Sequence, residues 1–340
     1  MSKLTHTVRL EPGGQTFTVE PGETILAAAL RQGHPLPYSC RNGSCGACKA
    51  RVLAGEIDYG VYEEKALSAA ERAAGKALMC QALPLTDVVV EAREIAAAKD
   101  IVIKTLPCRV IKMERAAHDV MILSLKLPQT EAFRFLAGQY IDILLREGQR
   151  RSFSLANPPQ QTEALQLHIR HVPGGSFTGH VFTAMKEKDL LRMRGPLGMF
   201  FLRESKLAAI LIAGGTGFAP IKSMVEDAIA RGSDRALHVY WGARARRDLY
   251  LEGLAAGWAR AHPNIRFTPV LSEPRAEEAW TGRTGWVHEA VLADHPTLAA
   301  CEVYASGPPP MIEAVRTTFL ARGLSADRLY YDSFEFAHAI

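Results

Sequence analysis

The 340 residues predict a multidomain protein of mixed α+β and α/β class, and three changes of texture along the chain carry that expectation. The first stretch sets short alternating runs and brief helices around a knot of cysteines. The middle stretch is a series of alternating runs parted by Pro and Gly. The last alternates apolar strands with helices, the mark of a parallel sheet with crossover connections. A chain of this length suits two or three domains of about 100–200 residues each.

In order, Thr5–Leu10 alternates polar and apolar residues, Pro12-Gly13-Gly14 turns, and Thr16–Glu20 alternates again, so the chain opens with a hairpin. Thr24 caps a helix running through Ile25, Leu26 and Ala29 to Arg31, which Gly33 and Pro35 stop. Lys49–Leu53 and Val88–Ala92 are apolar enough for strands, and Ser68–Lys76 reads as a short helix. Residues 1–93 are expected to form the first domain, and 94–104, EIAAAKDIVIK, a linker into Pro107. Residues 105–203 hold Val110–Met113, Val120–Leu127, Tyr140–Leu145 and Leu165–His171, spaced as in an antiparallel β-barrel. Residues 204–340 begin strand, helix, strand, helix, strand: LAAILIAG, Ile221–Arg231, Leu237–Gly242, Leu249–His262, Phe267–Leu271.

Cys40, Cys45 and Cys48 stand in a C-x4-C-x2-C run, YSCRNGSCGACK, and Cys80 follows 32 positions later. That is the ligand spacing of a plant-type [2Fe–2S] cluster. Three thiolates must converge from one tight loop, so small residues between them let the backbone wrap the sulfurs and aim N–H groups at them; Gly43, Ser44, Gly46 and Ala47 meet that need. A zinc knot would instead pair two short spacings. Cys108 and Cys301 are isolated and read as packing residues.

Forty basic and 36 acidic residues leave a formal charge of +4, too mild to argue for nucleic acid, and no basic tract is interleaved with aromatics. The opening MSKLTHTVRLEPGG has no apolar core for a secretory signal. Apolar runs such as LAAILIA fall far short of the roughly 20 residues that span a bilayer. Reduced thiols suit a cytosol better than a disulfide framework. The expectation is a cytoplasmic protein with protein and small-molecule partners, and with neither nucleic acid nor membrane among them.

The first domain resembles the β-grasp fold of plant-type ferredoxins. In the second, Gly138-Gln139-Tyr140 and Arg151-Ser152-Phe153-Ser154 resemble the flavin site of the ferredoxin–NADP reductase superfamily, whose R-x-Y-S/T motif ends a barrel strand. The resemblance implies that Arg151 grips the flavin pyrophosphate through its planar fork, that Ser154 lies near the isoalloxazine, and that Phe153 packs on the ring. Phe153 replaces the usual Tyr, which keeps the aromatic face and drops the hydroxyl. In VPGGSFTGHV, Gly174, Gly175, Ser176 and Thr178 make a glycine-rich turn opening a helix, which offers backbone N–H groups to a second phosphate, as FAD would need. FMN would use Arg151 alone. Arg170 or His171, on the strand before this turn, would line the flavin.

In LIAGGTGFAPIKSM, Gly214, Gly215, Thr216 and Gly217 join an apolar strand to a helix beginning near Pro220. Glycines there let a pyrophosphate approach the backbone. G-x-G-x-x-P is the version seen in the same superfamily. Ser306-Gly307-Pro308-Pro309 resembles its C-G-P-P motif beside the nicotinamide, with Ser306 for the usual Cys, and Phe334, Glu335 or Phe336 of the tail would approach the flavin. Arg244 and its neighbours in GARARRDL could pair a 2′-phosphate while Asp248 could accept from a free 2′-hydroxyl. The likeness to the superfamily's G-x-R-x-x-x-D-L segment favours NADH over NADPH.

The resemblance covers essentially the full chain and implies an NAD(P)H-dependent oxidoreductase passing electrons from nicotinamide to FAD to cluster to a protein acceptor. Two groups share this domain order: reductase components of bacterial mono- and dioxygenases, and the CDP-6-deoxy-3,4-glucoseen reductases that serve a sugar dehydrase. LPYSCRNGSCGACKA, Ala156-Asn157-Pro158 and YWGARARRDLY are closer to the second. A non-catalytic redox sensor, the reading from another class, would leave two flavin motifs and two nicotinamide motifs without a use.

Overall fold

The protein is described here from a computed structural model covering residues 5–335. It divides into two compact units, Met1–Val102 and Ile103–Ile340.

The first unit is built on a five-stranded mixed sheet, ordered Thr16–Val19, His6–Glu11, Val88–Glu91, Lys49–Ala54, Lys76–Leu78. His6–Glu11 and Val88–Glu91 run parallel and the other pairs antiparallel, the β-grasp arrangement. Alternation puts Val8, Leu10, Phe17 and Val19 inside, where they meet Ile25, Leu26, Ala28 and Ala29 of the helix Ile25–Arg31. The Thr24 hydroxyl caps that helix by accepting from Ala27 N–H. Its first amides, which have no partner within a helix, donate instead to the carbonyls of Ala82 and Met79, one on each side of Cys80. The helix thereby fixes the backbone that carries the distant cysteine. Beyond the sheet the chain does not simply lead away: Ile95 N–H bonds Pro35 O at 2.8 Å and Ala96–Ala98 forms a 3-10 turn. The stretch expected to act as a linker is therefore folded onto the first unit over part of its length.

The second unit begins with a six-stranded antiparallel sheet, ordered Arg150–Ser154, Tyr140–Leu144, Leu190–Leu197, Lys104–Ala117, Val120–Lys126, Leu165–Arg170. A bridge between Leu155 and Leu167 joins its two ends, so the sheet closes as a barrel around Val110, Leu123, Ile141, Ile143, Leu167 and Met193. Six parallel strands follow, ordered Arg283–Thr284, Ile265–Leu271, Leu237–Ala243, Ala208–Gly214, Cys301–Gly307, Leu329–Ser333. Helices Phe218–Ala230, Glu252–Ala261, Val287–Asp294 and Pro309–Ala321 connect them. Barrel and sheet are joined by buried polar contacts. Lys222 Nζ donates to Ala156 O at 3.1 Å, Ser223 Oγ to Asn157 O at 2.7 Å, and His168 Nδ1 meets Tyr250 OH at 2.9 Å. Among the described residues no helix is long and apolar enough to cross a membrane.

Candidate functional site

Cys40, Cys45, Cys48 and Cys80 come together in the first unit, with Cys40 half-buried and the other three buried. Each thiol stands close enough to a second, Cys40 to Cys45 and Cys48 to Cys80, to shift its titration. Antiparallel pairing of Lys49 with Leu78 brings the last two together. The loop is shaped by left-handed backbone at Arg41, Gly43 and Gly46. A Cβ at Gly43 would stand 2.7 Å from Val61 O, and one at Gly46 3.0 Å from Ala66 O, so no larger residue fits either turn. Ala47 N–H points at Cys45 Sγ from 3.5 Å. The Cys45 thiol, then the Asn42 and Ser44 amides, pull the Cys40 thiol down to about 5, whereas burial alone pushes the Cys108 thiol up to about 12. Three sulfurs from one loop, with an N–H aimed at Cys45, and a fourth from the segment after Lys76–Leu78 are the donor set a [2Fe–2S] cluster takes.

In the barrel, the pairing of Arg150–Ser154 with Tyr140–Leu144 sets Arg151 opposite Ile143, Phe153 opposite Ile141 and Ser154 opposite Tyr140. Ser154 is buried and Phe153 half-buried, its ring 5.5 Å from that of Phe177. Arg151 is half-buried and donates to Arg150 O. The Gln139 side-chain amide donates to Gly198 O at 2.9 Å, and Gly198 lies flat against the Tyr140 ring, where a Cβ would sit 2.7 Å from Cε1. Gly174 adopts φ +76° and Gly175 precedes the helix Ser176–Thr183, whose first amides have no partner within the helix. Thr178 lies inside that turn: its hydroxyl accepts from Val172 N–H at 3.1 Å. A guanidinium, a glycine turn opening a helix and a half-buried aromatic face together suit a dinucleotide flavin.

On the parallel sheet, Gly214, Gly215, Thr216 and Gly217 sit at the carboxyl end of the central strand, with Gly215 at φ +53°. The next strand over ends in Ser306 and Gly307, and the two turns interlock. A Cβ on Gly217 would fall 2.0 Å from Ser306 O, and one on Gly307 3.0 Å from the Gly214 Cα. The helix begins at Phe218, two residues earlier than expected, and Pro220 occupies its first turn, where a missing N–H costs nothing. Ser306 is wholly buried and its hydroxyl has no hydrogen-bond partner among the described residues.

Arg170 is held by a partner that the sequence did not reveal. Its Nε donates to Asp119 Oδ2 at 2.7 Å, and a Cβ on Gly215 would lie 2.8 Å from its Nη1, so the guanidinium borders the glycine turn of the parallel sheet. Beside it is a polar cavity of about 190 Å³ lined by His118, Asp119, Arg244, Arg247, Asp248 and Arg275 among others. Asp119 Oδ1 and Asp248 Oδ1 are buried there with no hydrogen-bond partner among the described residues, His118 Nδ1 lying 3.8 Å from each. His118, Asp119 and Asp248 bring ligand atoms within 4.8 Å of one another, and the guanidinium groups around them suit a ligand that carries both phosphate and hydroxyl groups. Arg244 is exposed at this cavity. His118 and Asp119 carried no signal in the sequence, because a His-Asp pair in a β-hairpin is common and its neighbours come from a segment some 130 positions away. His168 is held down to about 3 by burial and then by the Lys222 charge, and serves as a neutral packing group against Tyr250. Phe336 lies outside the described residues; Phe334 N–H bonds Gly307 O at 2.9 Å.

Three family models match in tandem: a 2Fe-2S iron-sulfur cluster binding domain over residues 8–85, an oxidoreductase FAD-binding domain over 107–202 and an oxidoreductase NAD-binding domain over 211–317. The chain is 42% identical to the CDP-6-deoxy-L-threo-D-glycero-4-hexulose-3-dehydrase reductase of Yersinia pseudotuberculosis, across 96% of this chain and 98% of that protein. It is 37% identical to a phenol 2-monooxygenase reductase component of a Pseudomonas species, across 97% and 95%. Among solved structures, an Amycolatopsis cytochrome P450 reductase superposes with a TM-score of 0.81 at 37% identity, covering 97% of this chain and 99% of that one.

Proposed function

This chain belongs to the ferredoxin–NADP reductase-type oxidoreductases that carry a [2Fe–2S] ferredoxin domain, and from that premise we propose that it feeds electrons from NADH to a sugar dehydrase acting on a CDP-6-deoxyhexulose. What carries the choice of acceptor is the full-length identity of 42% to the reductase of such a dehydrase, against 37% for a phenol monooxygenase component. When bound, the three groups supply the redox chemistry: the nicotinamide gives an electron pair, the flavin takes pairs and releases single electrons, and the cluster relays them.

The chain's own residues bind and orient. Arg151 meets the FAD pyrophosphate as a charged fork, and the amides after Gly174 and Gly175, at Ser176 and beyond, take the remaining phosphate oxygens. Phe153 covers the flavin ring, and Ser154 offers a hydroxyl beside it. Gly214, Gly215, Thr216 and Gly217, with the helix turn at Pro220, receive the nicotinamide nucleotide's pyrophosphate. Ser306 and Gly307 stand at the nicotinamide, Arg244 at the adenosine end, and Arg170 between. Cys40, Cys45, Cys48 and Cys80 ligate the cluster. A cytoplasmic setting supplies the NADH and keeps unligated thiols reduced.

The test is anaerobic addition of NADH to the purified chain holding FAD and cluster, followed by absorbance and by EPR. Flavin absorbance should bleach and a reduced-cluster signal should grow. A sample that stays oxidised overturns the electron-transfer reading. The acceptor is tested by reconstitution: turnover with a purified CDP-6-deoxyhexulose dehydrase is expected, and turnover with an oxygenase component instead would replace that partner.

A further inference from the structure

Trp241 heads the largest wholly buried side chains of the protein, and none of the roles above uses it. Strand pairing sets it beside Ala213, two residues before Gly215. Its ring stacks on Phe218 with centroids 3.7 Å apart and planes within 3°, and meets Tyr250 edge-on at 5.1 Å. Packing of that kind asks only for an aromatic face. The indole also donates, from Nε1 to Gly215 O at 3.0 Å.

We propose that Trp241 is a positioning residue for the nicotinamide nucleotide, its indole N–H holding the Gly215–Thr216 peptide so that the Thr216 amide faces the pyrophosphate. The proposal rests on the reading that Gly214–Gly217 receives that group. In a trans peptide the C=O and the following N–H point in opposite directions. The only cis bonds among the described residues are Glu11–Pro12 and Gly195–Pro196. Drawing the Gly215 carbonyl inward onto the indole therefore turns the Thr216 N–H outward. Gly215 and Thr216 are half-buried while Gly214 and Gly217 on either side are buried, so this one peptide is presented at the surface of the cleft. Gly215, at φ +53°, lacks the Cβ that would restrict its backbone, a freedom checked within its own turn by the Phe218 N–H on its carbonyl. A single donor from the neighbouring strand removes that freedom.

Trp241→Phe keeps the stacking and deletes the donor. In the full chain loaded with FAD and cluster, calorimetry with NAD+ and with ADP-ribose should show both dissociation constants raised by about 3- to 10-fold, the worth of one neutral hydrogen bond. The KM for NADH should rise by the same factor, with the limiting rate of ferricyanide reduction moving less than about twofold and the flavin content unchanged. Unchanged affinities overturn the proposal, as does a fall in limiting rate and flavin content alongside affinity, which would mark a packing role. Should the variant not fold, the four tryptophan indole N–H groups of the native chain can be followed by 15N NMR. The slowest-exchanging one should shift on adding ADP-ribose and stay protected; no shift overturns the proposal. Native enzyme that binds neither nucleotide would fail the reading of the glycine turn itself, and the proposal with it.

Discussion

The first unit and the second hold their groups by opposite means. The cluster site offers side-chain atoms, four thiols that must each be sulfur, whereas the cradles of the second unit offer mostly backbone, where what matters is the side chain that is missing. Gly217 has no Cβ because Ser306 O would be 2.0 Å from it. The lesson is that one unit fails by loss of a ligand atom and the other by gain of a methyl group.

Cys45→Ser is the sharpest probe of that contrast. We expect NADH to bleach the flavin as before while iron content falls and transfer to a one-electron protein acceptor drops by about 100-fold or more. Iron analysis and paired assays with a flavin-level and a cluster-level acceptor read both halves; loss of flavin reduction too would erase the distinction between the units. Gly217→Ala is its counterpart. The added methyl must push the two interlocked turns apart, at about 1–3 kcal/mol, so NADH-driven turnover should fall about 10- to 100-fold with cluster absorbance intact. Arg151→Ala removes a charged donor from the flavin phosphates, and FAD affinity measured by fluorescence on dilution should weaken by about 10- to 100-fold.

Acid sharpens the comparison more gently. In the second unit, burial holds His168 down to about 3 and His238 to about 4, below the ordinary 6.5. The unfolded chain then binds protons the folded one refuses, so stability there falls as pH drops below about 6.5. In the first unit, burial opposes the charge on Glu71, yet the Lys49 ammonium at 2.6 Å and the Ser68 amide hold it down to about 2, so its contribution is complete above 4.5 and fades only below that. Hydrogen exchange, corrected for intrinsic rate, should quicken in Leu165–Arg170 and Leu237–Ala243 between pH 6.5 and 4.5, before it does so around Ala69–Ala73. Glu71→Gln, which also weakens the capping box at Ser68, should cost about 1 kcal/mol in thermal unfolding at pH 7 and very little near pH 2.

The same contrast explains what could be read from the sequence. Side-chain donors appear as spacing, so the convergence of Cys40, Cys45, Cys48 and Cys80 was legible without coordinates. Glycine cradles appear as gaps in a pattern of side chains, so Gly214–Gly217 and Gly174-Gly175 were legible as turns, although the helix at Pro220 starts earlier. The three-texture reading of the chain was legible for the same reason, since period and punctuation are local. What stayed hidden are pairings between side chains far apart in sequence. Arg170 pairs with Asp119, 51 positions away, and borders the Gly215 turn, a pairing its place in the strand pattern did not record. The Thr178 hydroxyl is consumed by Val172, and Trp241 reads as a core aromatic until its indole is seen on Gly215. Residues 94–98 look like a connector because nothing in their composition records the bond from Ile95 to Pro35.

Cys108 and Cys301, at 2% and 8% exposure, are sealed inside the second unit. Cys45, Cys48 and Cys80 are buried as deeply, so a thiol-reactive dye added to the native protein should find Cys40 first, the half-buried ligand whose thiol is held low, wherever no iron covers it. The fraction labelled becomes a direct gauge of how much of any preparation lacks its cluster, with no need to break the molecule open.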